Sequence, residues 1–240
     1  MASSHDDCKK SEQDTVSNEW NSMAGEWDDL ARGYSNSFQQ VIFQETNIQD
    51  LAKDATSDAP LTILDFGCGT GLLTESLRKK LSKSDDESTK FICLDAASEM
   101  IKVVKEKIRA GEWSNVIAYA IVLAALDETF EKDILQPLYG TVDIIVASSV
   151  LVFIPECDIQ ATMNILGKLL KPQKGILIHS DWPKDNNLNQ SNGFTVERAN
   201  LVHGYASLTT KTAKVIEMSM GGTGPDSSKG KVFLGIAIKE

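Results

Sequence analysis

The chain of 240 residues carries 34 Asp and Glu against 24 Lys and Arg, a formal net charge of −10, and its hydrophobic share is 42%. An acidic chain whose longest basic run is Arg78-Lys79-Lys80 lacks the clustered basic face that nucleic-acid binding needs. No apolar run approaches the ~20 residues that cross a bilayer, and Cys8, Cys68, Cys93 and Cys157 lack zinc-ligand or CxxC spacing, so a cytoplasmic protein in a reducing compartment, without metal or membrane partner, is expected.

Residues 1–18 are polar and acidic, and read as a disordered tail ahead of one domain over 19–240. Within 19–56, Trp20, Met23, Trp27, Leu30, Ala31, Tyr34, Phe38 and Ile42 recur at spacings of three and four. That period puts them on one helical face and predicts a helical cap docked on the core. A first strand runs from Leu61 to Phe66, and the helix after it buries Leu72, Leu73, Leu77 and Leu81. Its basic last turn complements the helix dipole. Strand two, Phe91 to Leu94, ends at Asp95, and Ser98 is the expected cap of a helix that Gly111 ends. Val116 to Val122 is strand three and Val142 to Ala147 strand four. Asp158 is the expected cap of a helix with Met163, Leu166, Leu169 and Leu170 inside, and Ile176 to His179 is strand five. Val196 to Tyr205 reads as a helix within a second, substrate-side cap over 183–210. Lys214 to Met218 and Val232 to Ile238 read as strands around a Gly221-Gly222-Thr223-Gly224-Pro225 loop. Alternating strands and helices predict an α/β, doubly wound, mostly parallel sheet, with an antiparallel edge from the last pair.

The densest information lies in Ile63-Leu64-Asp65-Phe66-Gly67-Cys68-Gly69-Thr70-Gly71-Leu72. A buried strand ends beside an acid, turns through three alternating glycines and feeds a helix N-terminus, which lets backbone approach a ligand closely. A plain turn needs one glycine, not three. The dinucleotide fingerprint needs its third glycine where Leu72 stands, and Asp65 would repel a pyrophosphate while suiting an ammonium or sulfonium. A nicotinamide-dependent reductase is therefore disfavoured. The segment resembles motif I of class I S-adenosylmethionine-dependent methyltransferases. That resemblance implies a Rossmann-like seven-stranded sheet whose last strand inserts between the fifth and sixth. It also implies S-adenosyl-L-methionine as cofactor, with its amino-acid portion against Asp65, Gly67, Cys68, Gly69 and Gly71.

Other segments extend the resemblance over roughly 20–180. Glu26-Trp27-Asp28-Asp29-Leu30-Ala31-x-x-Tyr34 is similar to a family segment that closes over the cofactor, which implies contacts by Trp27 or Tyr34. Asp95, closing strand two at βαβ spacing from the glycines, can accept both ribose hydroxyls, and by resemblance Ala96 and Met100 flank the adenine. Where the family often has Gly-Asp-Ala, this chain has Ile121-Val122-Leu123, leaving backbone near Val122 and Leu123 to meet the ring edge. Ala147 and Ser148 fall where the resemblance puts the floor of the methyl site, and Phe153 replaces a frequent histidine. His179 and Asp181, leaving strand five, are the candidate catalytic groups; for His179 the competing reading is a hydrogen-bonded strand-end residue. Methyl transfer to a small-molecule O, N, C or S nucleophile by in-line displacement is the leading expectation. A non-catalytic S-adenosylmethionine-binding or partner protein and a protein methyltransferase are the alternatives.

Overall fold

The computed structural model describes residues 17–81, 87–111, 113–184, 193–220 and 229–240. The expectations for residues 1–16 and for the Gly221–Pro225 loop lie outside them. Seven strands form one sheet in the order β3-β2-β1-β4-β5-β7-β6. They are β1 (Leu61–Phe66), β2 (Thr89–Asp95), β3 (Val116–Ala120), β4 (Ile144–Ser148), β5 (Ile176–Asp181), β6 (Leu208–Ser219) and β7 (Lys229–Lys239). Strands β1 to β5 pair in parallel, whereas β7 is antiparallel to both β5 and β6. The last strand does insert between the fifth and sixth, the order that the resemblance implied.

Every residue of β1 is buried, as a central parallel strand covered on both faces requires. Side chains alternate between two cores with the period of two of a strand. Leu64, Ile92, Leu94, Ile145 and Leu177 join one, with Met163 and Leu166 of helix α7 (Glu156–Leu169) and Val202 of α8 (Val196–Tyr205). Ile63, Phe91, Cys93, Val146 and Ile178 join the other, against the remaining long helices. These are α2 (Trp27–Glu45), α4 (Leu72–Leu81) and α5 (Ser98–Arg109), with the short α3 (Ile48–Asp54). A short helix α1 covers 17–23, and residues 24–26 turn between it and α2. The single amphipathic cap is thus two segments.

Two expected caps fall elsewhere. Ser98 is the first helical residue of α5 and makes no cap; Asn21 Oδ1 accepts the Glu99 N–H at 2.9 Å from far along the chain. Asp158 lies inside the first turn of α7, with Pro155 in the cap position. Between β3 and β4, where the hydrophobic pattern is weak, the chain winds through irregular helical turns. They include the one-turn α6 (Glu128–Phe130) and a π-helical stretch over Glu131–Leu135.

Candidate active site

The chain leaves β1 toward β2 and β3, then crosses back to place β4 on the other side of β1. That reversal opens a crevice at the carboxyl ends of the strands, the usual ligand site of open α/β sheets. A cavity of about 490 Å³ lies there.

The glycine bend forms its base. Gly67, Gly69 and Gly71 have φ of +67°, +55° and +84°, a left-handed region in which other residues are strained. A Cβ at Gly69 would stand 3.0 Å from Trp27 Nε1, and one at Gly71 would stand 2.8 Å from the Trp113 ring. Gly69 therefore admits Trp27 over the bend from the cavity side, whereas Gly71 faces the protein and seats Trp113.

Two carboxylates flank the bend. Asp95 Oδ2 accepts the Gly69 N–H and Oδ1 the Ala97 N–H, each at 2.8 Å. Burial raises its carboxyl above the ordinary range, and these N–H donors oppose the rise. Asp65 is more enclosed: burial pushes its pKa up to about 7, the hydroxyl of Thr74 opposes and the charge of Asp95 adds. Thr74 Oγ1 donates to Asp65 Oδ2 at 2.7 Å, while Asp65 Oδ1 is buried without a hydrogen-bond partner among the described residues.

The N-terminal helices form the outer wall. Trp20 packs edge-on against Trp27 at 5.1 Å and against Phe153 at 5.3 Å. Tyr34 stacks on Trp182 at 6.5 Å and 26°. Its hydroxyl accepts from Ser149 Oγ and donates to Ser180 Oγ, both at 2.9 Å, tying α2 to the ends of β4 and β5. Asp28 holds the same helix down by accepting from Thr70 Oγ1 and pairing with Lys107.

Among the sequence candidates, Trp27, Tyr34, Asp65, Gly67, Cys68, Gly69, Asp95, Ala96, Met100, Val122, Leu123 and Ser148 all line this cavity. Ala147 is fully buried in the core beside it, and Gly71 belongs to the turn rather than the lining. His179 and Asp181 are wholly buried and do not line the cavity. His179 Nδ1 lies 2.7 Å from Asp181 Oδ2, His179 Nε2 lies 3.1 Å from His203 Nε2, and His203 Nδ1 lies 2.8 Å from Thr210 Oγ1. An ionised Asp181 fixes every tautomer along this row: each imidazole donates toward the carboxylate and His203 Nδ1 accepts from Thr210. Asp181 Oδ1 accepts the Val152 N–H at 3.0 Å, so the row is a brace joining β5, α8 and β6 to the turn after β4. No described residue of 183–210 lines the cavity, and residues 185–192 of the expected second cap lie outside the described residues. Sequence reading missed Trp20, Ser149, Phe153 as a wall, and Trp182. Only Ser149 carried a signal, as a polar residue in the exit from β4.

The family model described as a methyltransferase domain matches residues 64–177, from β1 into β5. Residues 64–177 are thus similar to a methyltransferase domain, and the sheet has the fold of solved S-adenosylmethionine-dependent methyltransferases. It is similar to methyltransferase tpcH of Aspergillus fumigatus, 27% identical over 145 residues that cover 60% of this chain and 47% of that protein. The chain spans less than half the length of the curated relatives it matches. Among solved structures it is similar to the 1,6-didemethyltoxoflavin-N1-methyltransferase of Burkholderia thailandensis, determined with 1,6-didemethyltoxoflavin and S-adenosylhomocysteine. The TM-score is 0.61 at 15% identity, over 100% of this chain and 91% of that one. Magnesium protoporphyrin IX methyltransferase of Synechocystis PCC 6803, determined with bound S-adenosylmethionine, gives a TM-score of 0.61 at 15% identity over 95% and 97%. At such identity the likeness is one of fold.

Proposed function

We propose that this chain transfers the methyl group of S-adenosylmethionine to a nucleophile on a small molecule. The observation that carries the reading is the pair of carboxylates at the glycine bend, one of them with a buried oxygen lacking a partner. A buried acceptor left unpaired costs ~1–3 kcal/mol, and the ammonium of a methionyl group is a ligand of the right charge. The residues fit the cofactor. Asp65 would hold the ammonium, Gly67 to Gly69 would take the amino-acid portion against bare backbone, and Asp95 would accept the ribose hydroxyls. Met100, Ala96 and the backbone of Val122 and Leu123 would enclose the adenine.

When bound, S-adenosylmethionine supplies an electrophilic methyl group on a sulfonium, whose charge is lost as the nucleophile takes the methyl. The chain's own part is to bind, align and exclude water. Alignment in a dry pocket can supply ~7–11 kcal/mol of a barrier. Among the described residues no His, Lys or Arg lines the cavity, and Asp65 and Asp95 are its only carboxylates. Tyr34 is held protonated by burial, which raises its pKa. The lining thus offers neutral hydroxyl groups rather than a base.

The test has two parts. S-adenosylmethionine and S-adenosylhomocysteine should raise the melting temperature while nicotinamide dinucleotides do not, and Asp95→Ala should reduce that shift. Incubation of cell extract with radiolabelled S-adenosylmethionine should then give a labelled small molecule that the Gly69→Arg variant does not make. Binding without any labelled product would move the assignment to the non-catalytic reading.

A further inference from the structure

The cavity has two chemically distinct halves. The half at the glycine bend holds both carboxylates. The remainder is walled by Trp27, Leu30, Tyr34, Phe153, Trp182 and Met220 and contains no charged side chain among the described residues. Its rings stand in two sets, the Tyr34–Trp182 stack and the Trp20–Trp27–Phe153 edge-to-face cluster. Leu30 and Phe153 are 57% and 41% exposed, large apolar surface left uncovered at this site. An acceptor with a phosphate, carboxylate or ammonium would lose hydration here and gain no ion pair from the described residues, a large cost for a charge. A flat apolar ring would instead bury these aromatic faces, each aromatic pair adding ~0.5–1.5 kcal/mol beyond the area covered.

The polar atoms of this half are as selective. Ser148 and Ser149 sit at the carboxyl end of β4 and both line the cavity. Ser149 adopts φ of +56°, a conformation few non-glycine residues take, and it is held by its bond to Tyr34. The Ser149–Tyr34–Ser180 row already spends the Tyr34 proton on Ser180. What is left for a ligand is a small set of neutral hydroxyl groups, matched to another neutral hydroxyl.

We propose that the acceptor of this methyltransferase is an uncharged, flat aromatic compound bearing a hydroxyl group, seated between the two sets of rings with that hydroxyl at Ser148 and Ser149; its oxygen bonds the methyl carbon as the sulfur–methyl bond breaks, releasing S-adenosylhomocysteine, and its proton passes to solvent water at the open mouth beside Leu30 and Phe153. This rests on the function proposed above, so the cofactor side is read separately. Calorimetry with S-adenosylhomocysteine comes first, and absence of binding there would remove the methyltransferase reading itself. On the complex, 2-naphthol, 2-naphthoate and 2-naphthylmethylamine are then titrated at pH 7.0, three probes with one ring system and three charges. The expected result is 2-naphthol binding at least about tenfold tighter than either ion, and about three- to tenfold weaker in Trp182→Ala, with affinity regained in Trp182→Phe. Should Trp182→Ala lower the melting temperature, Phe153→Ala, a change at a part-exposed ring, replaces it with the same expectation. Failure of 2-naphthol to bind, equal or tighter binding of a charged probe, or unchanged affinity in the ring variant overturns the proposal while leaving the cofactor site standing.

Discussion

The free protein holds Asp65 near pKa 7 because burial disfavours its charge and only Thr74 offers it a proton. On the proposed assignment of the methionyl ammonium to Asp65, binding requires the carboxylate, so the carboxyl must give up its proton wherever the pH lies below 7. The free-energy difference is about 1.4 kcal/mol per pH unit. Relative to the fully ionised site, affinity should fall about tenfold at pH 6 and about a hundredfold at pH 5. The ligand's own amino group, with a reference pKa of about 8, bounds the optimum from above. Calorimetry of S-adenosylhomocysteine at pH 6, 7 and 8, repeated in buffers of different ionisation enthalpy, reads both the slope and the proton released. Two controls isolate the residue. 5′-Methylthioadenosine has no ammonium and should bind with no slope from pH 6 to 8, and Asp65→Asn should bind S-adenosylhomocysteine weakly, about 10- to 100-fold, and without the slope. The sign on stability is opposite. A carboxyl raised above its unfolded value of 3.8 lends the free protein stability that is complete below that value and is lost as pH climbs through about 7. Asp65→Asn should therefore melt higher than wild type at pH 8 without ligand. An equal pH slope for 5′-methylthioadenosine, or a slope that survives Asp65→Asn, would refute this reasoning.

Other outcomes follow from the same geometry. His203 is neutral in the brace, its pKa lowered to about 3 chiefly by burial. Its contribution is complete above the unfolded value of 6.5 and is lost as pH falls toward 3. Between pH 7 and pH 5 wild type should lose about 2 kcal/mol more than His203→Asn by urea denaturation. Gly71→Ala, placing a Cβ at φ of +84° and 2.8 Å from Trp113, should cost about 1–3 kcal/mol, measurable as a lower melting temperature. Tyr34→Phe leaves the ring stack but cuts the bridge to Ser149 and Ser180. It should cost about 1 kcal/mol of stability and raise amide exchange in α2 more than in α7.

Much of this was legible from residues alone, for identifiable reasons. Buried parallel strands are continuous apolar runs, so β1 was readable to the residue; Val196–Tyr205 was readable as a helix, and the structure adds its Thr195 cap, whose side chain accepts the Arg198 N–H. The position of β7 in the sheet came from the resemblance, since propensity has no term for strand order. Ser98 and Asp158 failed as caps because both helices start earlier, with Ala97 and Pro155 in the cap positions, and a distant Asn21 accepts the Glu99 N–H. Where His179 would point was not legible in the sequence, for a physical reason. A strand-end histidine next to an acid looks alike whether it points to a ligand or to a neighbouring helix. Here Gly235 on β7 leaves the room for the ring to reach His203, since a Cβ there would overlap the imidazole. The aromatic walls were readable as helical and loop apolar residues, but their meeting depends on how α1 and α2 fold over the sheet, which a periodicity does not encode.

On the proposed function, a bare backbone bend between two acids receives a methionyl nucleoside. A crystal structure with S-adenosylhomocysteine addresses it most directly. The expected density has the ammonium within hydrogen-bonding reach of Asp65 Oδ1, the ribose hydroxyls on Asp95 and the adenine beside Met100. A ligand elsewhere on the protein, or a reversed pose with the adenine at Asp65, would contradict it.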